Sequence, residues 1–267
     1  MSPFPGASTD RDAADYVLVG APLDATTTFQ PGTRFGPRRI RHYARPFDDY
    51  DHHTDQAFTD LAVHDAGDVR PWDDVPAYLD HLAAELRAAA TDAIPLLVGG
   101  EHTVTRAGVR ATTPDVYVTV DAHLDLRDAY DGNPDNHATV TRRVLETVDR
   151  AVVLGARTGN AAEWDRASDP DVTVVPPADV PDWTPDIDGT VYLSVDVDAV
   201  DPGAAPGTGT MEPFGLSPRT VRDVVTALAP QATGVDVVEV NDRDSGQTAA
   251  LAAKLLRRFV YTHAADA

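Results

Sequence analysis

VYVTVDAHLDLRD, residues 116–128, decides the fold. It is an apolar β-type run that ends in acid, histidine and acid at alternate positions, Asp121, His123 and Asp125. The same construction recurs. IPLLV runs into GGEHT, VYLSV into DVDAVDP, and GVDVV into EVND, so four apolar runs each deliver carboxylate or imidazole at their C-terminal end. Strands are expected over 16–22, 93–100, 115–123, 150–156, 172–176, 190–198 and 234–241, with helices over 36–44, 75–90, 137–148, 217–229 and 248–263 between them. Near-continuous apolar strands separated by amphipathic helices indicate a parallel sheet covered on both faces, a doubly wound α/β fold. In such sheets the ligand crevice lies outside the carboxyl ends of the strands, where these polar residues fall.

Composition narrows the chemistry. The 267 residues are 42% hydrophobic, enough for one large α/β domain, and residues 1–267 are read as a single domain. No apolar stretch reaches the length of a membrane span and the N-terminus has no signal-peptide pattern, so a cytoplasmic protein without a membrane partner is expected. There is no cysteine, which excludes disulfides, thiolate metal sites and cysteine nucleophiles; any metal must use His and carboxylates. A formal net charge of −21 argues against nucleic-acid partners, because phosphates would be repelled. Lys254 is the lone lysine, and the Asp-rich, Lys-poor composition resembles that of halophile proteins. Acid runs such as FDDYDHHTD, 47–55, read as solvated surface.

If the backbone stays extended, Asp121, His123 and Asp125 point the same way, and so do Asp196 and Asp198. Converging carboxylates repel one another and raise their pKa values unless a cation sits between them. Hard oxygen ligands with a minority of imidazole suit Mn²⁺, and four Asp with two His suffice for two ions sharing bridging carboxylates. D-x-D recurs elsewhere in this acidic chain, as in DRD and DYD, so spacing alone does not single out Asp196 and Asp198; their place behind VYLS does. His102, taken alone, is open to two readings, ligand or capping residue. LLVGGEH lacks the G-K-[ST] of a phosphate loop, and the acidic rim disfavours a nucleotide.

In combination and in this order, VGAPLDATTTFQPGTRFGPRRIR (19–41), GGEHT, DAHLD, SVDVDAVDP, APGTGTMEP and EVNDRDSGQTAALAAKLL resemble the ureohydrolases, the group containing arginase, agmatinase, formimidoylglutamase and guanidinobutyrase. The resemblance runs nearly the whole chain. It implies an α/β fold with a binuclear Mn²⁺ centre that hydrolyses a guanidino or formimino group. By motif position, His102 and Asp125 would bind one Mn²⁺, His123 and Asp198 the other, with Asp121 and Asp196 bridging. Asp125 would also accept a hydrogen bond from the attacking hydroxide, His137 would shuttle a proton to the departing amine, and Glu239 would hold the guanidinium. Relatives of this kind are homo-oligomers, so a homo-oligomer is expected.

Within the group, Y-x-G (130–132) and H-x-T-x-x-R-R (137–143) look most like agmatinase, and the 126–136 segment has no serine of the kind that holds an α-carboxylate in arginases. A small cationic guanidino substrate, agmatine, is the expectation. Arginine, guanidinobutyrate, formimidoylglutamate and aminopropylagmatine are the alternatives, and Arg127 could favour a carboxylate. A noncatalytic metal-binding scaffold is the competing class; His137 and Glu239, which do not ligate metal in the family, speak against it. The chain departs from the usual wording at GGEHT, HAT, EVND and MEPFG, none of which removes a ligand. The Arg-rich GTRFGPRRIR (32–41) reads as structural.

Overall fold

The computed structural model describes residues 3–266. The described strands are β1 (Tyr16–Ala21), β2 (Tyr50–Asp51), β3 (Gln56–Ala57), β4 (Val63–Asp68), β5 (Ile94–Gly99), β6 (Val116–Val120), β7 (Arg150–Leu154), β8 (Val172–Val175), β9 (Val191–Asp196) and β10 (Ala232–Val238). The helices are α1 (Gly36–Tyr43), α2 (Val75–Ala90), α3 (Thr105–Thr112), α4 (Val140–Val144), α5 (Ala161–Arg166), α6 (Pro218–Leu228) and α7 (Gln247–Asp266). Eight strands form one parallel sheet in the order β4-β1-β5-β10-β9-β6-β7-β8, and β2 with β3 makes a small antiparallel ribbon.

Alternation along each strand sends side chains to two separate layers. Tyr16 and Leu18 of β1, Leu96 and Val98 of β5, and Leu193 and Val195 of β9 pack with Ile40 of α1, Val221 and Val225 of α6 and Phe259 of α7. Val17, Val19 and Leu97 face the other way, onto Tyr78, Leu82 and Leu86 of α2 and Ala107 of α3. Tyr117 and Tyr192 pack on this second side with Val140 and Val144 of α4. The sheet is therefore buried on both faces, as the continuous apolar runs require.

The strand order places the site. After β5 the chain crosses to start β6 three positions away, and β9 and β10 later fill the gap. The four central strands, β5, β10, β9 and β6, are the ones whose ends carry His102, Glu239, Asp196 and Asp121.

All seven expected strands end one to three residues early, and in three of them the shortfall falls at the candidate site residues. β6 stops at Val120, β9 at Asp196 and β10 at Val238, and extended backbone does not continue through Asp125, Asp198 or Glu239. Asp125 and Glu239 instead take left-handed φ of 52° and 63°, and Asp198 lies in a tight helical turn over Val197–Ala199. Such φ values are uncommon for non-glycine residues and are held by surrounding structure.

Candidate metal centre and active site

His102, Asp121, His123, Asp125, Asp196 and Asp198 converge at the C-terminal ends of the central strands. His102 Nδ1 lies 2.8 Å from Asp125 Oδ2, 3.2 Å from Asp121 Oδ2 and 3.7 Å from Asp196 Oδ2. His123 Nδ1 lies 3.0 Å from Asp198 Oδ2 and 3.7 Å from Asp121 Oδ1. Donor atoms of His102, Asp121 and Asp196 all fall within 4.8 Å of one another, and so do those of Asp121, His123 and Asp198, so Asp121 belongs to both groups. The turn after β9 is built by its own carboxylates, since the Asp198 N–H donates to Asp196 Oδ1 at 2.9 Å. His123 is aimed likewise by its N–H to Asp121 Oδ1 at 2.7 Å.

The electrostatics call for a cation. Burial, then the charges of Asp198, Asp121 and Glu239, push the Asp196 carboxyl well above its usual range. Burial and then Asp121 push Asp125 up to about 6. For His123 burial opposes the charged form, but Asp198 and Asp121 outweigh it and raise its pKa. Asp121 is fully buried, and its Oδ2 accepts no well-formed hydrogen bond. A hard donor set with an orphaned carboxylate oxygen at its centre fits a pair of divalent ions.

Beside this centre, Glu239 Oε1 accepts the His102 N–H at 2.8 Å, while Glu239 Oε2 is buried without a hydrogen bond. The left-handed backbone at Glu239, tied by its N–H to Gly100 O at 2.8 Å, turns this side chain into the cavity. His137 is fixed from both sides. Asn136 caps its turn, with Thr139 completing a capping box, and donates to Thr26 O. The Thr28 backbone N–H donates to His137 Nε2 at 3.1 Å, which places the neutral ring's proton on Nδ1, 3.5 Å from Glu239 Oε1. Burial lowers the His137 pKa, but Glu239 and then Asp125 and Glu101 raise it more.

Several residues of the site carried no prior signal. The Thr26–Thr28 loop is anchored by fully buried Glu101, whose carboxylate accepts from the Thr26 N–H at 2.8 Å and the Thr26 hydroxyl at 2.6 Å. Gly100 makes this approach possible, because a Cβ there would sit 1.9 Å from Leu23 O. Arg157, just after β7, donates to five backbone carbonyls: Gly155, Asp198, Ala199, Glu212 and Pro213. It ties the Asp198 turn to the 211–215 segment at the cavity rim.

The cavity, about 340 Å³, runs from Asp125, His137 and Glu239 to Arg127, Glu163 and Glu212. Arg127 is already engaged: its Nε is 3.2 Å from Glu163 Oε2 and its guanidinium lies 4.9 Å over the Tyr130 ring. Glu163 thus offsets part of its charge. Among the described residues, no helix is long and apolar enough to cross a membrane.

The chain is 36% identical over 260 residues to the agmatinase of Pyrococcus horikoshii, covering 93% of this chain and 92% of that protein. It is equally 36% identical over 263 residues to the N(1)-aminopropylagmatine ureohydrolase of Thermococcus kodakarensis, at 92% and 90% coverage. The solved agmatine ureohydrolase of Thermoplasma volcanium superposes with a TM-score of 0.93 at 33% identity, covering 99% of this chain and 95% of that one. Residues 14–261 match the arginase family profile. With the sheet order, the converging Asp and His groups and these likenesses agreeing along nearly its full length, the chain belongs to the arginase family, whose hydrolase members include these ureohydrolases.

Proposed function

We propose that this chain, acting as one domain over 1–267, is a Mn²⁺-dependent hydrolase that cleaves the guanidino C–N bond of agmatine to give urea and putrescine. The ions would be held by His102, Asp121, His123, Asp125, Asp196 and Asp198, and when bound they supply a hydroxide nucleophile near neutral pH. One observation carries the substrate class: Glu239 Oε2 is a buried carboxylate oxygen without a hydrogen bond, beside the metal centre and lining the cavity. A planar cation with N–H donors satisfies it, and the charge-assisted pair orients the guanidino carbon toward the centre. Asp125 accepts a hydrogen bond from the attacking oxygen. As the bond from the guanidino carbon to the tail nitrogen breaks, His137 in its imidazolium form gives the departing amine a proton and returns to the neutral ring, whose Nε2 accepts the Thr28 N–H.

The tail favours an amine over a carboxylate, because Arg127 is paired with Glu163 and the rim adds Glu212. The same acidic rim suits the longer cation of aminopropylagmatine, the second reading. The test is urea release in molar KCl from Mn²⁺-loaded protein on agmatine, aminopropylagmatine, arginine and guanidinobutyrate, with formamide followed for formimidoylglutamate. Chelator-sensitive turnover highest on agmatine is expected. Preference for a carboxylate-bearing substrate would overturn the tail assignment, and no turnover with two Mn²⁺ bound would overturn the hydrolase reading.

A further inference from the structure

Behind the metal ligands, the far nitrogen of His102 enters a polar pocket enclosed in the apolar layer. His102 Nε2 lies 3.0 Å from the Tyr117 hydroxyl and 3.3 Å from Ser194 Oγ. Ser194 Oγ in turn donates to Asp236 Oδ1 at 2.6 Å. All four side chains are fully buried, none more than 1% exposed. They come from the four central strands in turn: His102 follows β5, Asp236 is on β10, Ser194 on β9 and Tyr117 on β6. The parallel register sets Asp236 directly beside Ser194. The function proposed above leaves Asp236 unused, and a carboxylate inside a sheet layer is costly unless it has a partner and a purpose.

The polarity of this line is fixed by chemistry. The Ser194 hydroxyl donates to Asp236 Oδ1, so its single proton is committed there. That leaves only lone pairs on Ser194 Oγ for His102, so a proton on Nε2 is the arrangement that bonds it, and the Tyr117 oxygen accepts from the same N–H. The opposite nitrogen, Nδ1, is then the one with a free lone pair, and it is the nitrogen that faces Asp121, Asp125 and Asp196. Hydrogen bonding at one ring nitrogen sets which nitrogen can ligate, and it holds the ring orientation. His123 differs. Its side chain is 24% exposed, and among the described residues its Nε2 has no comparable line of partners.

We propose that Asp236, acting through Ser194 and assisted by Tyr117, is a positioning residue that locks His102 in the Nε2–H tautomer and so keeps Nδ1 available to one of the two ions. The inference rests on the metal reading above.

The test is Mn²⁺ titration of the metal-free full-length chain by calorimetry, with bound ions counted by electron paramagnetic resonance, for the native protein, Ser194→Ala, Asp236→Asn and Ser194→Thr. In Ser194→Ala one of the two sites weakens by about ten- to a hundred-fold while the other keeps its Kd. Asp236→Asn, which lacks the charge that commits the hydroxyl, weakens the same site. Ser194→Thr, which keeps the hydroxyl, recovers much of the affinity. A purely structural role would lower the melting temperature of the metal-free protein without singling out one ion. If Ser194→Ala folds and binds both ions with native affinity, or loses affinity equally at both, the inference is overturned while the metal reading stands. If the native chain binds no Mn²⁺, the metal reading itself is overturned and this inference with it. Should Asp236→Asn fail to fold, the Ser194 pair of variants decides the outcome.

Discussion

Replacing Glu239 by Gln changes one oxygen to an amide NH₂ and leaves the volume almost untouched. The structure says which interactions survive. Oε1 accepts the His102 N–H at 2.8 Å, a bond the Gln carbonyl can keep, so the loop that carries His102 should hold its shape. The unpaired Oε2 is the atom that would meet the guanidinium, and in the variant a donor faces a donor there. A hydrogen bond to a charged group contributes about 1.5–3 kcal/mol. At about 1.4 kcal/mol per tenfold, its loss lowers kcat/KM by roughly 10- to 150-fold, and donor–donor repulsion adds to that. The assay is urea release from agmatine at saturating Mn²⁺, with metal content measured on the same sample by elemental analysis. Ordinary kcat/KM with two ions bound would refute the guanidinium role. Loss of metal in step with activity would equally refute it, because Glu239 would then be acting on the ligand loop.

Three further outcomes are expected. Asp198→Asn alters the carboxylate 3.0 Å from His123 Nδ1 and should cost one ion per chain and most turnover; full metal content with unchanged turnover would remove Asp198 from the ligand set. Arg157→Lys cannot reach five carbonyls from one ammonium, so carbonyls of the Asp198 turn and the rim lose partners at about 0.5–1.5 kcal/mol each; KM should rise about tenfold with a fall in Tm of several degrees, and an unchanged KM would show that the 211–215 rim does not shape substrate binding. Arg41→Met strands Asp65, whose carboxylate pairs with the buried guanidinium through bonds of 2.7 Å to Nε and Nη2, and should cost about 3–5 kcal/mol in urea unfolding at neutral pH.

The last of these has a defined pH dependence. Burial raises the Asp65 pKa, but the Arg41 hydrogen bonds and charge outweigh it, and the folded-state value lies below the ordinary one. A depressed folded pKa contributes stability that is complete above the unfolded value, about 3.9, and fades as pH falls through the folded value. The gap in stability between native protein and Arg41→Met should therefore be full at neutral pH and shrink in acid. A gap that widened below pH 4 would contradict the assignment.

The seven apolar runs read as strands all form strands of the parallel sheet, and the five expected helices form, because burial on both faces forces an unbroken hydrophobic signature on the sequence. The elements that escaped notice lack that signature. β4, VHDAGD, is an edge strand with largely half-exposed polar residues, and α3, TRAGVRAT, is short and built of small and polar residues that bury little side chain. The metal-ligand candidates were legible because carboxylates rarely close an apolar strand without cause. Asp236 obeys the same rule inside GVDVV, where a carboxylate interrupts an apolar strand.

The sequence by itself determined the layered parallel sheet, the strand ends as the place of chemistry, and the Asp and His set that gathers there. The alternation D-x-H-x-D suggested convergence by simple extension, whereas the chain turns at Asp125 and Glu239 through left-handed backbone and still brings the groups together. Tertiary structure alone decided that the Thr28 N–H fixes the His137 ring, that Glu163 occupies Arg127, that Arg157 staples the rim to the Asp198 turn, and that Asp236 stands behind His102. The physical reason is range. Hydrophobic periodicity is written locally along the chain, but each of these hydrogen bonds and ion pairs joins residues 36 or more positions apart, and only the folded sheet order brings them within 3.5 Å.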